Sequence, residues 1–447
     1  MKKKTKLTGT VIYPNDPGYE QARMNWNPFT NAFPIVFVFA HQNEDVSNAV
    51  KWARENGVPI RMRSGRHALA KDFSQVDGGI VIDVSQMRQV MLDKVNGIAT
   101  VQAGIRVGDL VRMLAKEGVL APFGDSSSVG IGGISTGGGI TVVQRTAGLI
   151  SDNILAATIV DANGEVINVS ECSNPDLLWA IRGGGGGNFG IITSYKFKVR
   201  AAPFQVGIYQ IIWPWEQLEE VIDTWQKWAP SVDERLGSIV EVYSQMNGTL
   251  RSQGIFLGPK EELEKLLAPL TGVGTPIEIF IKEVSLLEAI NFWAPNMPLS
   301  IDQNTVFSST WLQQCLPEEG LKSIRSFLEQ TTGTSNFFFL NSGGAMNRIS
   351  SRETAFFWRD TRYYTEWNAK WTEDSETQRN IDLVENTRIE LQPYTIGSYV
   401  NVPDLGIKNY GQEYYGDNFE RLQRVKAAYD PENVFKFAQS IPPASKC

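Results

Sequence analysis

Some residue types and patterns are scarce in this chain of 447 residues, and each scarcity excludes a class of protein or site. The three cysteines, Cys172, Cys315 and Cys447, are spaced as neither a metal-ligand pattern nor a disulfide framework. The chain has no run of about 18 apolar residues, so it lacks a candidate transmembrane helix. The net charge of -7 argues against a groove for nucleic acid. We therefore predict no metal site, no nucleic-acid partner and no membrane span.

The N-terminus and the length set the expected compartment and size class. Residues 1–8 begin with basic side chains, but no apolar segment follows, so we predict no secretory signal. A reducing, cytoplasmic compartment is the expectation, and association with a spore coat or another surface assembly stays open. The chain is too long for one simple domain and long enough to bury a large core. It carries no internal repeat, and nothing in it indicates an oligomeric state.

Glycine, by contrast, is clustered in three loops. The first, residues 63–67, follows an apolar stretch at 57–60 and closes on His67, one of only two histidines. The others lie at residues 129–139 and 182–190. Glycine allows positive φ and close approach to a ligand, and consecutive backbone amides form anion-binding nests. The three loops together predict a large phosphate-bearing cofactor, with tight turns in an all-β region as the alternative.

The third glycine loop has the spacing of a dinucleotide fingerprint at Gly185, Gly187 and Gly190. That fingerprint requires a strand before the loop and a helix after it. Here the order is reversed, because residues 174–181 read as a helix and residues 191–199 alternate as a strand. A Rossmann domain is therefore not expected, which disfavours the alternative of an NAD-dependent sugar or lactone dehydrogenase.

The predicted elements change character near residues 201–203. Before that point we expect strands at 35–39 and 79–84 and a helix at 45–56 that ends at Gly57. The expected elements after it are alternating strands at 206–213, 238–245 and 253–257 and amphipathic helices at 216–228 and 318–331. A last helix, followed by Pro431, carries on its core side Phe419, Leu422, Val425 and Tyr429.

These motifs resemble those of the vanillyl-alcohol oxidase / p-cresol methylhydroxylase (PCMH) flavoproteins, and within them the berberine bridge enzyme-like oxidases. The resemblance runs from about Pro34 to the C-terminus, with the motifs in family order. The matching segments are RSG-x-H at 63–67, VG-x-GG through GGG at 129–139, RGGG-x-GNFGI-x-T at 182–193, Tyr399, Val400 and Asn401 with Asp404, and the segments 414–419 and 429–435.

The resemblance implies a fold and a domain division. The fold class is α+β: a two-domain PCMH-type FAD-binding fold whose substrate domain is an antiparallel sheet backed by helices. The expected division is an FAD-binding domain at 1–202, a substrate-binding domain at 203–404 and a C-terminal berberine bridge-like segment at 405–447. That last segment is expected to return to the FAD-binding domain.

The resemblance also implies FAD, bound covalently from His67 to the 8α-methyl group of the isoalloxazine ring. Ser126 stands where the family has a second, cysteine anchor, and serine cannot form a thioether, so we predict a single link. Ile134 replaces a histidine that contacts flavin, and Arg66 replaces a glycine and offers positive charge to the pyrophosphate. The other expected cofactor contacts are Arg63, Ser64, Gly65, Val129, Gly130, Gly132, Gly133, Gly137, Gly138, Gly190, Ile191, Asn401, Tyr414 and Asn418.

Val129 bears on the electron acceptor. In plant members of the family this position is associated with oxygen access, and valine resembles the oxidases whereas leucine resembles the dehydrogenases. The residue thus favours oxygen, with a plain packing role as the alternative.

The resemblance points to Glu366 as the catalytic base. It lies five residues before Trp371, as the glutamate of the berberine bridge enzyme lies before a tryptophan, if one residue is deleted after Arg359. Arg362, Tyr364 and Glu366 share one face of a predicted strand. Desolvation over a flavin would raise the pKa of this carboxylate toward neutrality. The alternative is a surface glutamate paired with Arg362.

A second family mechanism uses a tyrosine as the base, at the position of Val402 in this chain. Valine has no proton to exchange, so that mechanism is not expected. Tyr399 and Asn401 are placed two apart on a strand, where they orient substrate or flavin, and Tyr364 assists Glu366 by hydrogen bonding. The candidate catalytic residues are therefore Glu366, Tyr364 and Tyr399.

The expected function is an FAD-linked oxidase. A small hydroxylated, sugar-like, alkaloid or polyketide substrate would give hydride to flavin N5, and oxygen would then yield hydrogen peroxide. The alternatives are a catalytically weak flavoprotein with a structural or coat role and a dehydrogenase with another acceptor. An aromatic-rich set is expected either to line the pocket or, more commonly, to fill the core. Its members are Trp293, Trp311, Phe337, Phe338 and Phe339.

Overall fold

The computed structural model describes residues 4–122, 124, 126–295 and 297–445. The first part of the chain forms a small sheet in which apolar strands lie beside each other in the order β1-β2-β4-β3, with β2, β4 and β3 parallel. Helix α2 starts two residues before the predicted start, because the Asp45 carboxylate accepts the backbone N–H of Gln42. The elements are β1 (Thr10–Ile12), α1 (Tyr19–Arg23), β2 (Val36–Phe39), α2 (Asn43–Asn56), β3 (Ile60–Arg63) and β4 (Ile80–Asp83).

A second, antiparallel sheet has the strand order β5-β6-β10-β8-β9 and shares one core with the first. The third glycine loop lies between helix α6 and strand β10, as predicted, so the order is opposite to that of a Rossmann fingerprint. The elements of this part are β5 (Val90–Asp93), β6 (Ile98–Gln102), α3 (Val107–Lys116), β7 (Val119–Leu120), α4 (Ile131–Ile134), α5 (Gln144–Ala147), β8 (Ile154–Val160), β9 (Val166–Ser170), α6 (Pro175–Ile181), β10 (Ile191–Lys198) and β11 (Arg200–Ala201).

The large sheet after residue 205 is antiparallel throughout, in the order β15-β12-β14-β13-β17-β18-β16. Two of its strands begin before their predicted starts, β13 at Leu236 and β14 at Thr249. The elements are β12 (Val206–Pro214), α7 (Leu218–Trp228), β13 (Leu236–Tyr243), β14 (Thr249–Phe256), α8 (Lys260–Leu266), α9 (Ala268–Thr271), β15 (Glu278–Val284), α10 (Leu286–Trp293), β16 (Asn304–Leu312), α11 (Glu318–Gln330), β17 (Asn336–Asn341), β18 (Tyr363–Trp371) and α12 (Thr377–Leu391).

One face of this large sheet packs against helices α7, α11 and α12, and the other face turns toward the glycine loops. Strand side chains alternate between the two faces. Phe337, Phe339 and Trp367 therefore enter the helix-covered core, while Phe338 and Glu366 point the other way. An α+β fold with an antiparallel sheet backed by helices is confirmed.

The end of the chain packs on the third glycine loop through helices α13 (Tyr410–Tyr415) and α14 (Phe419–Tyr429). The buried Nζ of Lys426 donates to the backbone oxygens of Asn188 and Phe435 and pairs with Asp430 at 2.7 Å. This buried pair holds α14 against the loop.

None of the described helices is long and apolar enough to cross a membrane. Cys172 and Cys315 are free thiols, and Cys447 lies outside the described residues.

Candidate active site

A cavity of about 510 Å³ lies between the three glycine loops and the large sheet. Its volume is in the range of small-molecule and cofactor sites. C-terminal side chains, including Tyr415, Phe437 and Gln439, complete its wall. The sequence-predicted residues that line it are Arg63, Ser64, Gly65, Arg66, His67, Ser126, Val129, Gly130, Gly132, Gly133, Gly190, Ile191, Glu366, Tyr399, Asn401 and Tyr414.

The first two glycine loops touch through their backbones. A Cβ on Gly65 would lie 2.1 Å from the amide nitrogen of Gly130, so glycine is required for this contact. Gly133, in contrast, has no atom within 4 Å of its Cβ position and faces open space in the cavity. A Cβ on Gly186 would lie 3.4 Å from the Cα of Gly133, which brings the second and third loops together. The loops form a narrow cleft walled by backbone.

Arginines surround one end of this cleft. Arg63 pairs with the buried carboxylate of Asp83 at 2.5 Å, and its Nη1 and Nη2 have no hydrogen-bond partner among the described residues. Burial, followed by the charge of Arg63, lowers the pKa of Arg66, and burial with neighbouring arginines lowers that of Arg106. Repulsion among these cations would be relieved by an anion. The backbone amides of the cleft, with Arg66 on its wall, fit the pyrophosphate of FAD.

Arg66 has a left-handed backbone, with φ of 62°, at the place where the family loop has glycine. Its guanidinium donates to the backbone oxygen of Gln21 and lies over the ring of Phe39. A left-handed arginine is costly for the fold and is held by these contacts.

His67 is held by two residues that the sequence analysis missed. Its ring stacks on Trp26, with ring centroids 4.7 Å apart, and its Nε2 is hydrogen bonded to Oγ of Ser128 at 2.7 Å. Burial, with a smaller contribution from Arg106, lowers the pKa of His67 to about 3. The imidazole is therefore neutral near pH 7, and Nδ1 is the ring nitrogen not used by Ser128.

Ser126, the position of the family's second anchor, lines the cavity and donates from Oγ to Sδ of Met297 at 3.3 Å. Its hydroxyl offers no thiolate for a covalent link. Val129 and Ile134 lie on the same wall and present apolar side chains to it.

Glu366 lies on strand β18 across the cavity from the loops, and Tyr364 donates from its hydroxyl to Oε2 of Glu366 at 2.6 Å. Burial raises the pKa of Glu366 to about 7, the hydrogen bond from Tyr364 opposes this shift, and the charge of Glu241 adds to it. Glu366 lines the cavity and forms no ion pair with the exposed Arg362 in the described part of the chain, so the alternative of a surface ion pair between them is wrong. A carboxylate with this pKa exchanges protons near neutrality.

Tyr399 and Asn401 do not lie on a strand, contrary to the prediction. The backbone turns there, because the N–H of Val402 donates to the carbonyl of Tyr399. The phenol oxygen of Tyr399 accepts hydrogen bonds from the amide of Gly139 at 2.7 Å and from Nδ2 of Asn401 at 2.8 Å. Burial raises the pKa of Tyr399 to about 12. The tyrosine is thus fixed against the second glycine loop.

Some predicted site residues support the cavity from behind instead of lining it. Nδ2 of Asn418 donates to backbone oxygens, including that of Ser351 at 2.6 Å, so the predicted cofactor contact is corrected to a structural one. Gly137 packs against Asn401, and Gly138, with φ of 125°, packs against Phe356. Fully buried Tyr364 lies behind Glu366.

The sheet side of the cavity carries residues that no motif had marked. Glu241 on β13 and Asn336 on β17 line the cavity beside Phe338. Among the aromatic candidates Phe338 alone lines it, while Trp293 and Trp311 are buried in the adjoining core. Only the pairing of the strands brings Glu241 and Asn336 beside Glu366.

Comparisons with known proteins agree with this architecture. Residues 34–170 match the model of the FAD binding domain, and residues 398–442 match the berberine and berberine-like model. The FAD-linked oxidoreductase YvdP of Bacillus subtilis (strain 168) is 57% identical over 443 residues, which covers 98% of this chain and 99% of the relative. The chain belongs to the berberine bridge enzyme-like family of FAD-linked oxidoreductases.

Solved structures confirm the fold of this family member. Physcomitrella patens BBE-like 1 superimposes with a TM-score of 0.92 at 28% identity, covering 98% of this chain and 97% of the other. The xylooligosaccharide oxidase of Myceliophthora thermophila, solved with xylobiose, gives a TM-score of 0.87 at 26% identity, with coverage of 98% and 97%. The PCMH-type fold, the FAD cofactor and the class of FAD-dependent oxidoreductase are therefore confirmed. The alternative of an NAD-dependent enzyme is therefore wrong.

Proposed function

We propose that this family member is an oxidase that removes a proton and a hydride from a small organic substrate, with Glu366 as the base and oxygen as the final acceptor. Bound FAD supplies the two-electron acceptor. The observation that carries the proposal is the Glu366–Tyr364 pair, which faces the glycine loops across the cavity. The two-domain division near residues 202 and 404 belongs to the same proposal, with loops from one domain and the sheet from the other.

The geometry around Glu366 supports its role as base. Oε2 accepts the hydrogen bond from Tyr364, which leaves Oε1 to take the substrate proton. Because its pKa is about 7, the carboxylate form is well populated at neutral pH and can pass the proton to solvent later. This intact pair favours an active enzyme over the alternative of a weak flavoprotein with a coat role.

The residues around His67 support a single covalent link to FAD. The neutral ring is fixed by Trp26 and by Ser128 at Nε2, and in the tautomer whose Nε2–H donates to Ser128, Nδ1 carries the lone pair for the 8α carbon. Ser126 offers no second thioether. Arg66, with the amides of the loops, would hold the pyrophosphate, and Arg63 lies behind it, paired with Asp83.

Oxygen as acceptor is supported by Val129, whose short side chain lines the cavity on the side of the glycine loops. Transfer of two electrons to oxygen yields hydrogen peroxide. The xylooligosaccharide oxidase among the structural relatives supports a hydroxylated substrate for this enzyme as well.

The test is anaerobic reduction of the purified holoenzyme by substrates found in a peroxide-release screen. Positioned general-base catalysis is worth about 10²- to 10⁴-fold, so Glu366→Gln should slow flavin reduction by that factor while keeping its FAD. Glu278→Gln, the same substitution at an exposed position on β15, is the matched control and should reduce at the parental rate. A glutamine variant at position 366 that reduces at the parental rate would overturn the base assignment.

A further inference from the structure

The large sheet has two edges, and the edge at β16 is covered by other parts of the chain. The backbone N–H of Trp311 donates to the carbonyl of Gly397, and the carbonyl of Trp311 accepts from the N–H of Ile396, both at 3.0 Å. Farther along β16, the side-chain amide of Asn27 accepts from the N–H of Thr305 at 3.2 Å and donates to its carbonyl at 2.7 Å. These contacts occupy backbone groups that a strand edge otherwise leaves without partners.

The opposite edge, strand β15, lacks such a cover. It pairs with β12 on its inner side, and on its outer side no backbone group of residues 278–284 is hydrogen bonded to another described residue. The pairing with β12 runs over seven residues without a bulge, and the strand contains no proline. Ile277, just before the strand, is 61% exposed, and Ile279 is 49% exposed. A regular, partly apolar edge with unpaired N–H and C=O groups is a template for another strand.

A second copy of β15 matches this edge in an antiparallel pairing. The residues whose N–H and C=O groups point outward alternate along a strand, so two identical strands pair about a two-fold axis only where a residue lies opposite its own copy. With Phe280 opposite Phe280 of the second copy, Glu278 lies opposite Lys282. In the same register Ile279 lies opposite Ile281 on the other face of the sheet. The two-fold axis makes each of these pairs occur twice.

The charges favour this register over its neighbours. A centre one residue earlier or later would put Phe280 opposite Glu278 or Lys282, and a centre at Lys282 would bring two ammonium groups together. Both charged side chains are exposed, and neither forms an ion pair within the described part of the chain, although Glu288 attracts Lys282 from farther away. Opposite charges directly across two antiparallel strands stabilise the pair. The register centred on Phe280 therefore gives each charge a partner.

We propose that this protein forms a two-fold dimer in which β15 pairs with β15 of a second copy. The two seven-stranded sheets then form one continuous sheet. Because the β16 edge is covered in each copy, the association closes at two copies. One strand pair buries less than the roughly 1,200 Å² of a standard stable interface, so we expect a dimer Kd on the order of micromolar.

The dimer goes beyond the proposed oxidase function and does not depend on it. Strands β12 and β14 lie between β15 and β13, the nearest strand that contributes Glu241 to the cavity. Pairing at the β15 edge therefore leaves the residues of the cavity in place. The content of FAD and the rate of its reduction should be the same in monomer and dimer.

Sedimentation velocity of the purified holoenzyme between about 1 and about 200 μM tests the dimer. The parent should convert from monomer to dimer over this range without larger species. Glu278→Lys brings lysine side chains opposite each other at both ends of the strand pair, and Lys282→Glu does the same with carboxylates. Each single variant should raise the dimer Kd at least about 10-fold.

The combination of Glu278→Lys with Lys282→Glu exchanges the two charges and tests the register. It should return the dimer Kd to within about threefold of the parental value, because each pair is again of opposite sign, whereas a folding defect would not be rescued. Glu390→Lys, the same change at an exposed position on α12, is the control and should dimerise like the parent.

The same measurements can overturn the proposal. A parent that stays monomeric up to about 200 μM, or that forms species larger than a dimer, would contradict the two-fold dimer. An unchanged dimer Kd in both single variants would show that the copies associate through another surface. A double variant that dimerises no better than the single variants would contradict the register centred on Phe280.

Discussion

The glycine loops and the large sheet face each other across one cavity, yet they present different chemistry to it. The loops offer backbone amides, arginines and His67, which suit a large anionic cofactor. The sheet offers Glu366, Phe338 and Glu241, set by strand register at fixed spacing, which suit a small ligand. We propose a division of labour: the wall formed by the glycine loops (the loop wall) holds the flavin, and the wall formed by the large sheet (the sheet wall) selects the substrate and takes its proton. The following predictions test whether the two walls act separately.

The largest expected effect is at His67 on the loop wall. His67→Ala should lose all acid-stable flavin, because the neutral imidazole is the sole predicted link, while FAD still binds through the loops. Fluorescence of the acid-precipitated protein measures this. Ser126→Ala is the control and should keep the full covalent content. Acid-stable flavin remaining in the His67 variant would contradict the single link.

Substitutions at two glycines on the loop wall test the stability of the fold and the binding of FAD separately. Gly65→Ala places a methyl group 2.1 Å from the backbone of Gly130 and should destabilise the protein by about 3 kcal/mol. Gly133→Ala meets no protein atom and should unfold like the parent, but its methyl group enters the cavity and should weaken FAD binding. Urea unfolding and FAD titration of the reconstituted protein measure the two effects. Equal unfolding midpoints for both variants would show that the loops do not need their close contact.

On the sheet wall, Tyr364→Phe removes the hydrogen bond that stabilises the Glu366 carboxylate. The pKa of Glu366 should then rise further above its ordinary value, because burial and the charge of Glu241 are no longer opposed. The acidic limb of the flavin-reduction rate should move to higher pH, while covalent flavin content stays parental. The ionisable groups facing Glu366 are Tyr364, Tyr399 and Glu241. A shift toward lower pH would mean that Tyr364 does not act through the carboxylate.

The smallest expected effect is at Val129, which lines the cavity where we expect oxygen to reach the flavin. Val129→Leu should slow reoxidation of the reduced flavin by oxygen more than it slows reduction by substrate, since the added carbon narrows the cavity. Stopped-flow measurement of both half-reactions gives the reoxidation rate and the reduction rate for the variant and the parent. Equal slowing of the two would assign Val129 a packing role only.

The loop wall was largely predictable from the sequence, and the sheet wall was not. Glycine clusters, His67 and the order of α6, loop and β10 follow from local patterns, because backbone freedom is a local property. Glu366 was found through its family spacing. Glu241 and Asn336 reach the cavity through strand pairings across more than 90 residues, which no local pattern records.

The missed and wrong predictions also come from contacts that no local sequence pattern records. Trp26 and Ser128 carry no motif, although they hold His67. Asn418 was predicted as a cofactor contact from a motif that instead fixes backbone near Ser351. Tyr399 was placed on a strand because alternation looks the same in an extended segment that ends in a turn.

The central claim is that a carboxylate on the sheet wall, and not the loop wall, takes the substrate proton. The most direct measurement is the anaerobic flavin-reduction rate of the parent and of Glu366→Gln between about pH 5 and about pH 9. The parent rate should fall roughly tenfold per unit below about pH 7, because the Glu366 carboxylate, whose pKa is about 7, becomes protonated. The glutamine variant should be about 10²- to 10⁴-fold slower at high pH and lack this limb. An acidic limb that persists in the variant at the parental position would contradict the account.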